Sequence, residues 1–111
     1  MSNDEACQLF PDGWKEVKPY LRVVRFSCAA GDEAPAKAIA EDLAPQIRQQ
    51  PGCGQVVVFG DADGEGGLVV LWDTEEHADA AAAVIKPQLE QHLAGHISAP
   101  PDARLFPVLS H

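Results

Sequence analysis

Basic side chains are scarce in this chain. Eight Lys and Arg stand against seventeen Asp and Glu, for a formal net charge of −9. Nucleic acid and anionic membrane surfaces are both recognised through Lys/Arg footprints, so neither partner is expected. Cysteine is also sparse. Cys7, Cys28 and Cys53 are odd in number, widely spaced and without a CxxC pair, which fits a reducing cytoplasm better than a disulfide framework. No stretch approaches the roughly 20 apolar residues of a membrane helix. Met1 to Glu5 is polar, with no apolar run behind it of the kind a signal peptide needs. Phosphate-binding loops, a GxGxxG after a strand and a serine elbow are all missing, so nucleotide and serine-hydrolase chemistries have no support.

What is present is the composition of one folded domain: 111 residues, 46% hydrophobic. Residues 1–19, with Phe10, the turn formers Pro11-Asp12-Gly13 and Trp14, read as an N-terminal arm before a domain spanning 20–111. In the first strand, residues 20–28, Leu21 and Val23 face one way and Val24, Phe26 and Cys28 the other. A helix over 34–50 begins at Pro35, a favourable first-turn proline. It carries Ala36, Ile39, Ala40, Leu43 and Ile47 on one stripe, is expected to kink at Pro45, and ends at Pro51-Gly52. The apolar runs 55–60 and 67–72 form two strands joined by the hairpin Asp61-Ala62-Asp63-Gly64-Glu65-Gly66. Such runs are covered on both faces. That hairpin imitates half a calcium loop, but its twelfth position is Trp72 and its flanks are strands, so no calcium is expected. Thr74 caps a second helix with Glu75 and Glu76 in its first turn. Lys86-Pro87 is expected to kink or interrupt it, and Gly95 to stop it. Residues 103–109 form a last strand, which Pro107 confines to an edge or a bulge.

The order is β-α-β-β-α-β: an α+β domain with a four-stranded antiparallel sheet and two helices on one face. The other face keeps apolar side chains too numerous for a lone chain to leave wet. A second copy of the chain is the simplest cover, giving a homodimer through the sheet face.

Three segments then carry a resemblance: Pro51-Gly52-Cys53 before a strand, Leu71-Trp72-Asp73-Thr74-Glu75-Glu76 passing from strand to capped helix, and the closing Arg104-Leu105-Phe106-Pro107-Val108-Leu109. Together with the element order they resemble the antibiotic biosynthesis monooxygenase family over residues 20–109. The resemblance implies a ferredoxin-like subunit, a dimeric α/β barrel, and a ligand cavity between helices and sheet. It also implies, for some members, oxidation of polycyclic aromatic molecules by molecular oxygen with no metal or organic cofactor. Haem-degrading relatives use a Trp, a His and an Asn. Trp72 falls on the Trp position, but Ala82 stands where the His would be and residues 20–28 hold no Asn, which disfavours haem.

Trp72 is the leading candidate to line a small-molecule site, since a flat ring at a strand end stacks on aromatic ligands; the competing role is core filling. Phe26, on the strand face it shares with Val24 and Cys28, is a second substrate-binding candidate. His92 and His96 project near the stripe of Ile85, Leu89 and Leu93, and His titrates near neutrality. His92 is therefore the candidate catalytic base and His96 a substrate-binding candidate, although both can equally be structural. Their i, i+4 spacing lacks the Glu of a zinc helix, so no metal is expected. His77 lies at the stripe's edge, where solvent is expected. The sequence thus expects a cofactor-independent monooxygenase-like enzyme acting on a small aromatic or polyketide-like molecule. Its alternatives are a non-catalytic binding or sensing dimer, or an isomerase- or cyclase-like enzyme.

Overall fold

The computed structural model describes residues 17–97 and 99–110. Most of the N-terminal arm, including Cys7, Phe10 and Trp14, lies outside the described residues. The elements run β1 (Tyr20–Ser27), α1 (Ala34–Ala38), a π-helical turn (Ile39–Leu43), α2 (Ala44–Arg48), β2 (Cys53–Gly60), β3 (Glu65–Trp72), α3 (Glu75–Leu93) and β4 (Asp102–Pro107). The sheet order is β2-β3-β1-β4 with every neighbouring pair antiparallel. Each helical connection therefore skips one strand, which gives the ferredoxin-like arrangement the sequence implied.

Cross-strand register decides which side chains share a face. Arg22 pairs with Val70 and Leu105, Val24 with Leu68, and Val56 with Val70. Val24, Phe26, Val56, Leu68, Val70 and Trp72 consequently point toward the helices and are buried. Ile39, Leu43 and Ile47 from the first helical segment, with Ala78, Ala81, Leu89 and Leu93 from α3, complete that core. Each large apolar side chain buried there contributes about 1.5–3 kcal/mol.

The chain adjusts locally at the two prolines inside its helical segments. At Pro45 the helix changes its hydrogen-bonding pattern, as the expected loss of a bond there requires. An α-turn would press its ring against the Glu41 carbonyl; instead the preceding turn widens, and the Ala44 N–H donates to Ile39 O, five residues back. Pro87 does not interrupt α3, which runs unbroken through 19 residues. Ala83, whose carbonyl loses its N–H partner to Pro87, is exposed, so water satisfies that acceptor without a break. The cap at Thr74 forms as expected, its Oγ1 accepting from His77 N at 3.1 Å.

The hairpin after β2 is a turn held by its own carboxylate. Asp61 Oδ1 accepts from the backbone N–H of Asp63 at 2.9 Å and of Glu65 at 3.2 Å. Gly64 sits at φ +89°, and a Cβ there would overlap the Cys28 and Ala29 carbonyls, while Cys28 N donates to Gly64 O at 2.7 Å. Only glycine fits this contact. One strand further, Phe26 lies over Gly66 on the helix face and Phe59 over Gly67 on the opposite face.

That opposite face carries no element of the described residues. Leu21, Val23 and Val69 are half-buried there, and Val57, Phe59 and Phe106 are 47%, 39% and 45% exposed. Val57 and Phe59 lie on the edge strand β2 and Phe106 on the opposite edge strand β4, and the register sets Val69, Leu71, Val23 and Leu21 between them, so the face is apolar from edge to edge.

Candidate functional site

The helix-facing side of the sheet is not completely filled. Alanine is a strong helix former but occupies little space, and α3 carries Ala78, Ala80, Ala81, Ala82 and Ala83 in succession around Asp79. Where Ala78 and Ala82 face the sheet, a cavity of about 520 Å3 remains, walled by Val24, Leu68, Val70 and Trp72 below and by Ile85 and Leu89 along the helix. Residues 100–103 close one end. The size and mainly apolar walls are those of a small-molecule site.

Two polar groups stand out in these walls. Arg22 leans inward from β1, its side chain only 19% exposed, with Nη2 3.5 Å from Asp79 Oδ1 on α3. Asp79 is itself 67% exposed, so this ion pair is weak. Trp72 is 1% exposed, and its buried Nε1 has no hydrogen-bond partner among the described residues. A buried indole N–H without an acceptor costs about 1–3 kcal/mol; the atom has essentially no accessible surface, so it faces packed core rather than the cavity. Lys86, Glu90 and Asp102 also line the cavity, all three on exposed residues at its mouth.

Of the residues nominated by sequence, Trp72 alone lines this cavity. His92 is half-buried in the last turn of α3 and is not among the lining residues. His96 is exposed, its Nδ1 2.8 Å from Asp32 Oδ2, a link between the end of α3 and the loop before α1. Phe26 is buried and borders a smaller cleft, about 180 Å3, near the start of α1. His77, expected at the solvent edge, is half-buried, with Nδ1 2.6 Å from Asp73 Oδ1 at the corner between β3 and α3. Arg22 was missed, although strand alternation places it on the same face as Val24 and Phe26. An arginine in that inward set is the signal that finds it.

The thiols are poor nucleophiles. Burial pushes the Cys53 thiol up from its ordinary value, more than the Gln55 backbone hydrogen bond and the Arg48 charge lower it. Cys28 is raised by burial and then by the nearby Asp32 and Glu65 carboxylates. Both stay protonated and unreactive near neutrality. Among the described residues, no group of three or more His, Cys, Asp or Glu is placed to hold a metal ion, and no helix is long and apolar enough to cross a membrane.

No protein-family model matches the chain, and no curated protein matches it in sequence. Solved structures do match its fold. A Nitrosomonas europaea protein, assigned by name as an antibiotic biosynthesis monooxygenase, superposes with a TM-score of 0.71 at 16% identity, covering 84% of this chain and 92% of its own. A cofactor-independent oxygenase from Streptomyces nogalater gives 0.67 at 17% identity, with 85% and 96% covered. A monooxygenase of Streptomyces coelicolor, solved with nanaomycin D bound, gives 0.65 at 18% identity, with 86% and 90% covered. At these identities the shared property is the ferredoxin-like fold, present over nearly the whole of each partner.

Proposed function

We propose that this chain is a small oxygenase that needs no metal or organic cofactor and oxidises a flat aromatic molecule held between α3 and the sheet. The observation that carries the reading is the alanine-bordered cavity of about 520 Å3, which places the unpartnered Trp72 indole in its wall. Likeness in fold to a cofactor-independent oxygenase and to a monooxygenase solved with nanaomycin D bound supports the reaction class.

The chemistry requires an ionised substrate. A hydroxyaromatic that loses its proton becomes an electron-rich anion, which passes one electron to O2, and the resulting radical pair joins as a new C–O bond. The hydroperoxide then loses water. At a CH2 carbon of an anthrone, two C–H bonds are replaced by one C=O; one oxygen atom stays in the product and the other leaves as water. All four electrons come from the substrate. The protein's part is to exclude bulk water, hold the ring flat beside Trp72 and stabilise the anion. His92 enters as the candidate base, acting from the end of α3 through intervening water.

The chain is further proposed to work as a homodimer in which a second copy covers the open face bearing Val57, Phe59 and Phe106. Symmetric closure would protect that patch and leave the cavity, on the other side of the sheet, intact.

An oxygen electrode with 1,8-dihydroxyanthrone tests the reaction. One O2 consumed per substrate and one anthraquinone formed, above the uncatalysed rate and without added cofactor, is the expected result. His92→Gln is expected to slow turnover at least about a hundredfold, the lower end of a general base's contribution; an unchanged rate removes His92 as base. One observation favours a second reading, a binding or sensing protein: among the described residues, the cavity wall contains no imidazole. Saturable binding of the anthraquinone with no oxygen uptake would select it.

A further inference from the structure

The cavity has an electrostatic asymmetry that its apolar walls conceal. Of the four charged residues that line it among the described residues, Lys86, Glu90 and Asp102 are exposed residues at its mouth. Only Arg22 rises from the floor of the sheet, paired across β1 and β3 with Val70. A guanidinium carries five N–H donors in a rigid fork. Among the described residues one long contact engages it, Nη2 to the exposed carboxylate of Asp79. An arginine drawn inward and left with spare donors beside an apolar cavity is an anion receptor, because a charge-assisted hydrogen bond to an ionised oxygen is about twice as strong as a neutral one.

We propose that Arg22 determines specificity in this cavity: it selects flat aromatic ligands bearing an acidic oxygen, either a carboxylate or an ionised hydroxyl, and holds them as anions. This rests on the cavity being the ligand site, as argued above. The apolar walls take the ring system and Arg22 takes the anionic oxygen. Asp79 competes with the ligand for the guanidinium and releases it when an anion enters. The overall charge of −9 makes this selectivity local: the chain as a whole repels anions, and the single inward arginine reverses the sign where the ligand binds.

The test compares two probes of one shape and different charge, 2-naphthoate and 2-naphthamide, by isothermal titration at pH 7. The native chain is expected to bind naphthoate at least about tenfold more tightly than naphthamide. Arg22→Gln is expected to abolish that preference while changing naphthamide affinity by less than about twofold, with circular dichroism confirming the fold. Asp79→Asn, at an exposed site that leaves the fold untouched, is expected to tighten naphthoate binding several-fold and leave naphthamide unchanged. Equal affinity of the native chain for both probes, or a preference that survives in Arg22→Gln, overturns the role of Arg22 while leaving the cavity as a site. Failure of both probes to bind overturns the cavity itself and this inference with it.

Discussion

Glutamate in place of Val57 is expected to split the proposed dimer into single 11.9 kDa chains. Val57 stands on the strand β2 with its side chain on the open face, 47% exposed in the single chain. In a two-fold interface each substitution occurs twice, so two carboxylates would be buried facing apolar surface. At about 2 kcal/mol or more for each unpaired polar group, association should weaken at least about a thousandfold. Sedimentation equilibrium at micromolar concentration reads the outcome. The native chain should sediment at twice the chain mass and the variant at the chain mass, with the far-ultraviolet spectrum unchanged because Val57 contributes little to the single-chain core. A native chain that sediments alone at this concentration contradicts the dimer, whatever the variant does.

Trp72→Ala should produce the largest loss of stability of any single change in the domain. The ring is 1% exposed and packs in the common core with Val70 and Ala78, so its removal enlarges a space that is already partly empty. Aromatic-to-alanine changes in cores cost about 3–5 kcal/mol, against a total of about 5–15 for a domain of this kind. Urea unfolding followed by circular dichroism should show the midpoint collapsing toward zero denaturant. Trp72→Phe separates packing from recognition. It keeps most of the ring and removes an N–H that already lacks an acceptor, so stability should change little or rise. Affinity for 2-naphthoate should stay within about twofold, because Nε1 does not open onto the cavity and Trp72 acts as a wall. A several-fold loss of affinity in Trp72→Phe would contradict that placement.

The legible parts of this fold are those governed by strand alternation and apolar runs. The two central strands carry Val24 and Phe26 against Leu68 and Val70, and no helical reading of those segments buries the same set. The capped start of α3 at Thr74 was equally plain, because Thr followed by Glu75 and Glu76 satisfies both the cap and the helix dipole. How each proline is accommodated was not, since the local rule contains no information about surroundings. Pro45 is absorbed by one widened turn, and Pro87 lies where its orphaned carbonyl meets water.

The site was legible only in part for a related reason. Trp72 announced itself as a large ring at a strand-to-helix corner. The helical projection fails for His96, which lies past the helix end at Leu93 and turns out to Asp32. His92 stays within α3, but the cavity is lined along that helix by Ala78, Ala82, Ile85, Lys86, Leu89 and Glu90, and alanines advertise helix rather than void. Arg22 carries no motif that marks it; its place in the inward alternation with Val24 and Phe26 is the guide.

The central claim is that the space left by the alanines of α3 is where a ligand binds. Ala82→Phe fills that space with a ring and touches no polar group of the site. Titration of this variant with 2-naphthoate, followed by its thermal midpoint, is the most direct test. At least about a tenfold loss of affinity, with a midpoint equal to or above that of the native chain as a void is packed, is the predicted result. Native affinity in a folded Ala82→Phe chain would contradict it, and would move the search for a site elsewhere on the molecule.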